Sequence, residues 1–402
     1  MSLKISNRVL PVIVLTLALP ASAWAQGCKN TGSFSAWMKD FKQEARAAGI
    51  SGKTIAQALN GITFDQKIVN RDRRQSFFSQ SFLQLSGRMI SKHRLNNGAK
   101  RIKKYRSIFQ KVEQKYGVPP SVIAAFWALE SDFGVNMGKD KSIRSLATLA
   151  YDCRRPELFR PELMAVLKII ERGDLRASEM IGSWAGELGQ TQFLPTHYYN
   201  HAVDFDGDGR RNLLKSPADV IASTGAFLEH LGWKANQPWL QEVRVPGKVP
   251  WKEADLRIRH PRSQWAQWGV RTASGGKLRA DGLPASLLLP MGRKGPAFLA
   301  YENFQIYLQW NQSLIYATTA AYLATRYDGA GPVRKGSKDI AVFGYKEIKE
   351  LQRRLERKGY DVGGVDGKMG VKTRASVKEA QLKYGLPPDS YPTPALMSRL
   401  RK

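Results

Sequence analysis

Apolar residues in the first half of the chain recur every three to four positions. Phe34, Trp37, Met38, Phe41 and Ala45 share one helical face, and the same period runs through Ile102 to Tyr116 and Pro119 to Leu129. That half is expected to be mainly helical. Over residues 234–300 the texture changes to proline, tryptophan and short alternating stretches. Glu242-Val243-Arg244-Val245 and Leu256-Arg257-Ile258-Arg259 read as strands, so a small β-rich subdomain is expected inside a helical domain at 30–327. Helical periodicity returns over Leu314 to Arg326. Gly329, Gly331, Pro332 and Gly336 make 328–338 read as a linker, and helical patterns return in 339–402, enough for a small module. The expected fold class is mainly α, with an inserted β-rich subdomain and a small C-terminal helical domain.

The amino terminus adds a compartment. Lys4 and Arg8 precede the apolar run Val9 to Leu19, and Ala23-Trp24-Ala25 is a small-x-small site before Gln26, so residues 1–25 read as a cleaved signal peptide. The run is short for a bilayer span, and no later segment approaches that length. Ala25-Gln26-Gly27 before Cys28 lacks the leucine of a lipid-anchor signal. The mature chain is thus expected to be periplasmic, soluble, without a lipid anchor, and a monomer. Its two cysteines, Cys28 and Cys153, can pair in an oxidising compartment, or stay as two buried thiols. The net charge of +29 would suggest nucleic acid in the cytosol. Outside it, wall peptide carboxylates and envelope lipids are the abundant polyanions, so no nucleic-acid partner is expected.

Serine-hydrolase and zinc-peptidase chemistry lose their usual signals, because the chain has no Gly-x-Ser-x-Gly, no His-Glu-x-x-His and no Cys/His cluster. Ala47 to Thr54 satisfies a relaxed phosphate-loop pattern, but it follows a polar helical run and reads as a helix-turn-helix joint. The strongest chemical candidate is Glu130 in Ala128-Leu129-Glu130-Ser131-Asp132-Phe133-Gly134. It emerges at the end of a helix that is apolar nearly all round, where poor solvation beside Phe126 and Trp127 would keep it protonated as a general acid. An exposed or arginine-paired carboxylate is the alternative. In Gly182 to Pro195, close glycines allow tight backbone approach, and Gln190 and Gln192 offer donors and acceptors suited to sugar hydroxyl and acetamido groups; a packing turn is the alternative. Asp204-Phe205-Asp206-Gly207-Asp208-Gly209-Arg210 starts like an EF-hand loop, with Asp204, Asp206 and Asp208 at positions 1, 3 and 5, Arg210 at 7, and Lys215 where the bidentate glutamate would stand.

Four segments in order, Glu130-Ser131 ahead of Gly134, Gly186-x-x-Gly189-Gln190-Thr191-Gln192-Phe193-x-Pro195, Asp204 to Asp208, and Trp310-Asn311-x-Ser313-x-x-Tyr316, resemble the membrane-bound lytic murein transglycosylase B family. The resemblance implies a lysozyme-like helical domain with a smaller β-containing part beside a saccharide groove. It implies Glu130 as catalytic acid/base, surrounded by Ser131, Gln190, Gln192, Trp310, Asn311 and Tyr316 as substrate-binding residues. It also implies that Asp219 closes a structural calcium (or sodium) site, although Asp219 equally reads as the acidic N3 residue of a helix capped by Ser216. Glu187 and Trp310 stand where relatives commonly carry alanine and tyrosine. Residues 348–400 resemble a three-helix peptidoglycan-binding module through Leu351-Gln352-x-x-Leu355, Val365-Asp366-Gly367, Gly370, Thr373 and Gln381, with Ala380 and Ser390 in place of a usual phenylalanine and glycine. Its basic residues Arg353, Arg354, Lys378 and Lys383 read as a binding face or as solvated helix surface. The implied activity is lytic cleavage of peptidoglycan glycan strands between N-acetylmuramic acid and N-acetylglucosamine, with 1,6-anhydro-N-acetylmuramic acid formed and no cofactor in the chemistry. A hydrolytic muramidase on the same scaffold and an inert wall-binding protein are the rivals.

Overall fold

Helix Phe34–Ala47 starts at Ser33, whose hydroxyl accepts from the Ala36 amide, and buries Trp37, Met38, Phe41 and Ala45. In the computed structural model, which describes residues 32–73 and 80–402, this helix turns at Gly49 (φ +85°) into helix Gly52–Leu59, capped by Ser51. The phosphate-loop-like string is thus a joint between two helices. The segment read as a signal peptide lies outside the described residues, as does Cys28.

The helical body is built round Pro120–Ser131. Pro119 and Pro120 open this helix, and every side chain from Ser121 to Leu129 is buried. Helices Lys92–Lys104, Arg106–Tyr116, Pro217–His230 and Leu314–Tyr327 pack around it. Val122, Ile123, Phe126 and Trp127 are wholly shielded, each worth roughly 1.5–3 kcal/mol of burial. That makes the helix a rigid support for whatever stands at its end.

Among the described residues, seven short strands complete the domain: β1 (Asp140–Lys141), β2 (Ile181–Gly182), β3 (Leu240–Arg244), β4 (His260–Pro261), β5 (Arg271–Thr272), β6 (Pro284–Leu288) and β7 (Ala297–Ala300). β1 pairs with β2, and the other five form an antiparallel sheet in the order β4-β6-β7-β3-β5. Alternate residues serve two cores. Leu240, Leu288, Phe298 and Ala300 join the helical core, while Val243, Leu287, Ala297 and Leu299 pack with Trp265 and Val270 in a separate one. Burial on both faces explains why β7 is apolar throughout. The strand expected at Leu256–Arg259 is absent: Asp255 accepts from the Arg257 amide (2.9 Å), its carbonyl accepts from Ile258, and the chain turns before β4 begins at His260.

Residues 328–338, read as a linker, form no helix or strand and are tacked to the surface. Tyr322 Oη accepts from the Val333 amide, Glu242 from that of Arg334, and the Lys294 carbonyl from that of Ser337. Helices Tyr345–Arg357, Val371–Lys383 and Pro394–Arg401 then enclose their own core of Ile348, Leu351, Leu355, Val377, Leu396 and Leu400. This module docks on the β-rich subdomain. Arg374 donates to the Leu289 carbonyl (2.6 Å), Asp389 accepts from the Arg293 amide, and Lys378 sits 3.5 Å from Asp255 with both side chains buried. Lys378 is therefore neither a solvated surface residue nor part of an open binding face.

Candidate active site

Glu130 is the penultimate residue of helix Pro120–Ser131, partly exposed where the helix leaves the core. Both donors that reach it bond the same oxygen: Trp310 Nε1 donates to Oε1 at 2.8 Å, and Tyr316 Oη donates to Oε1 as well. No donor among the described residues bonds Oε2, which leaves that oxygen to carry a proton. Burial raises the Glu130 carboxyl to about 7, the two donors pull against it, and the charge of Glu187 adds to the rise. Tyr316 is held well above an ordinary phenol by burial and by Glu130's charge, so it remains a hydrogen-bond donor.

Each donor has its own support. Trp310, at the end of helix Phe304–Trp310, is stacked on Phe126 with ring centroids 4.2 Å apart and flanked by Phe193 and Phe227 at 5.6 and 5.5 Å. Asn311 Oδ1 accepts from the Ser313 amide, and Ser313 caps helix Leu314–Tyr327 by accepting from the Tyr316 amide. The spacing Asn311-x-Ser313-x-x-Tyr316 is that of an N-cap and its N3 residue, which places the phenol one turn into the helix. Trp310 and Tyr316, expected as substrate-binding residues, bond the Glu130 carboxyl directly.

Three residues expected at the substrate are hydrogen-bonded within the protein. Ser131 is buried, its hydroxyl donating to the Gln190 carbonyl and accepting from the Gly134 amide. Gln190 accepts from Trp127 Nε1 at 2.8 Å and donates to the Leu214 carbonyl at 3.0 Å. Gln192, at φ +49°, donates to the carbonyls of Met137 and Gly189. Polar side chains that look like sugar ligands in sequence thus knit the Gly182–Pro195 segment to the Glu130 helix; the apolar anchors Phe126, Phe193 and Phe227 gave no polar signal at all. Gly186 and Gly189 fit the reading of close backbone approach, since an added Cβ would lie 2.4 Å from Leu146 and 2.8 Å from Leu213. Glu187 accepts from Ser183 Oγ, and its charge is felt at both Glu130 and Glu162.

The acidic loop converges only in part. Oxygens of Asp204, Asp206 and Asp219 lie within 4.8 Å of one another, whereas Asp208 is not in this group and caps the Arg210 amide. The Arg210 side chain reaches away to the Asp174 carbonyl and Glu179. Asp219 is fully buried, accepting from the Phe205 and Asn212 amides, while its own amide bonds Ser216 Oγ, so it closes the loop and occupies N3 together. None of the three pairs with a basic side chain among the described residues, and burial with Asp206's charge raises the Asp219 carboxyl. Three hard oxygen donors without a counter-charge fit a calcium ion. Cys153 is disulfide-bonded; its expected partner Cys28 lies outside the described residues.

One carboxyl raised to about 7 at the end of a buried helix is an arrangement that suits an acid catalyst for glycosidic bonds. Residues 33–325 match the transglycosylase SLT domain family, and the chain belongs to it; residues 344–400 match the putative peptidoglycan binding domain family. The membrane-bound lytic murein transglycosylase B of Escherichia coli (strain K12) is 30% identical over 240 residues, 59% of this chain and 64% of that protein. The chain thus spans just under two thirds of this curated relative. The crystal structure of SltB3 from Pseudomonas aeruginosa in complex with NAG-anhNAM-pentapeptide superposes with a TM-score of 0.85 at 42% identity, over 92% of this chain and 100% of that one. Escherichia coli lytic transglycosylase Slt35 in complex with calcium superposes with a TM-score of 0.61 at 25% identity, over 72% of this chain and 92% of that one. The fold is lysozyme-like and mainly helical, with a C-terminal peptidoglycan-binding domain.

Proposed function

We propose that this chain is an exported lytic transglycosylase that cleaves the β-1,4 bond between N-acetylmuramic acid and N-acetylglucosamine in peptidoglycan and leaves 1,6-anhydro-N-acetylmuramic acid ends. The observation that carries this reading is Glu130, raised to about 7 and held through one oxygen by Trp310 and Tyr316. Glu130 gives its proton to the glycosidic oxygen as the C1–O bond breaks, and the substrate's own acetamido carbonyl stabilises C1. The glutamate, now ionised and steadied by its two donors, takes the proton of the muramyl C6 hydroxyl as that oxygen attacks C1, closing the anhydro ring. Protons balance, and no cofactor enters. The complex of SltB3 with an anhydro-muramyl pentapeptide supports this product.

The remaining assignments follow from the same reading: a cleaved signal peptide at 1–25, a periplasmic monomer, a Cys28–Cys153 bridge, and calcium at Asp204, Asp206 and Asp219. Bound there, calcium would neutralise three carboxylates and tie the loop to helix Pro217–His230. One feature favours a hydrolytic muramidase instead, the carboxylate of Glu187, whose charge Glu130 feels. Mass spectrometry of muropeptides released from purified sacculi separates the two. Ends about 18 Da lighter than the hydrolysis product, one water, are expected, and predominantly reducing ends would overturn the transglycosylase reading in favour of a two-carboxylate mechanism.

A further inference from the structure

We infer that Arg94 is a positioning residue for the Glu130 reaction, tying the turn that ends the Glu130 helix to the helix that carries Tyr316. The inference rests on Glu130 being the general acid/base. After Ser131 the backbone takes three positive φ angles in succession, Asp132 (54°), Phe133 (61°) and Gly134 (90°). Two of these are not glycine, so the turn persists only where its surroundings over-determine it. Ser131 Oγ holds Gly134, and the Phe133 ring meets the edge of Trp127 at 5.4 Å. Asp132 is held by Arg94, whose Nε donates to Oδ1 at 3.2 Å with both side chains largely shielded.

Arg94 is itself fixed at every end. Its amide donates to the cap Ser91 Oγ at 3.1 Å, its guanidinium donates to the Met89 carbonyl, and its carbonyl accepts from Tyr327 Oη at 2.9 Å. Tyr327 closes the helix Leu314–Tyr327 on which Tyr316 stands. The approach of the two helices depends on Gly98, where a Cβ would lie 2.2 Å from the Tyr327 ring. One arginine thus joins the turn after the acid to the element bearing its hydrogen-bond donor, and its charge is felt at the Tyr316 hydroxyl. A shift in either part changes the aim of Glu130 at the glycosidic oxygen.

The test is steady-state cleavage of sacculi and of a soluble glycan by the full chain carrying Arg94→Met, Arg94→Lys, Asp132→Asn, or Arg94→Met with Asp132→Asn. Misaim of an acid predicts a kcat loss of roughly 10- to 100-fold with KM within about threefold of wild type. The alkaline limb of the pH profile should move, lysine should restore part of the rate, and the double variant should be no worse than the worse single one. Wild-type kcat in Arg94→Met, a loss confined to KM, or losses that multiply in the double variant would overturn the inference. Should Arg94→Met fail to fold, Asp132→Asn decides: the same kcat loss supports the inference, and a wild-type rate refutes it. A wild-type chain that cleaves neither substrate overturns the parent reading of Glu130, and the Arg94 inference with it.

Discussion

Replacing Glu130 by glutamine should remove activity and add stability, and the added stability should depend on pH. The carboxyl titrates at about 7 when folded against an ordinary 4.5, because burial penalises its charge. Between those values the folded state holds a proton that the unfolded chain has released. The raised group's contribution is therefore fully present below pH 4.5 and lost as pH rises through 7. Worked through, an ionisable residue here costs the fold about 3 kcal/mol at pH 8 and just under about 1 kcal/mol at pH 5. Glutamine keeps an oxygen for Trp310 and Tyr316 to bond and carries no charge to desolvate. The variant should thus gain about 2 kcal/mol more over wild type at pH 8 than at pH 5, on the order of 5 °C in Tm for a chain of this size. Calorimetry at the two pH values measures this, and turnover of sacculi should fall by about 10²–10⁴-fold. A Tm difference that is the same at both pH values, or a variant less stable than wild type at pH 8, would refute the desolvated carboxyl. Retained turnover would refute its role.

Activity of the wild type should fall as pH rises through about 7, because the acid must be protonated to act. Tyr316→Phe removes a donor that favours the charged form, so its alkaline limb should lie at higher pH with a lower maximal rate; an unmoved limb would argue against the Tyr316 bond. Calcium should raise the wild-type Tm, and Asp204→Ala or Asp219→Ala should abolish that increment. Equal melting with calcium and with chelator would remove the metal from the loop. Cys153→Ser should destabilise by roughly 2–4 kcal/mol relative to unreduced wild type, and identical unfolding curves for the two would exclude a stabilising bridge.

Most of the architecture was legible because it depends on periodicity. The three-to-four-residue spacing of Trp37, Met38 and Phe41, and the unbroken apolar run before Glu130, can be satisfied only by helices with a buried face. The false strand at Leu256–Arg259 alternates as β4 does not, yet one aspartate bonding the backbone two residues on is enough to turn the chain. The segment 328–338 has the composition of a flexible tether. It is pinned by partners far away in sequence, Tyr322, Glu242 and Lys294, which no local pattern reports.

The site shows the opposite asymmetry. Glu130 was legible because part of its signal is local: a carboxyl closing an apolar helix stands where packing can strip its solvent and raise it. Its neighbours were less legible because a polar side chain carries the same signal whether it binds a ligand or the protein's own backbone. Gln190 and Ser131 reach across between the acid's helix and the Gly182–Pro195 segment, so their donors and acceptors are engaged before any sugar arrives. The Trp310 and Tyr316 that resemblance assigned to the substrate face inward to Glu130 Oε1. Arg94 was invisible, since an arginine in a basic helix reads as solvated surface until Asp132 is placed opposite it. Fixing one oxygen of Glu130 from two elements that are themselves fixed leaves the other oxygen in a single orientation, and that preorganisation is what a group acting first as acid and then as base requires.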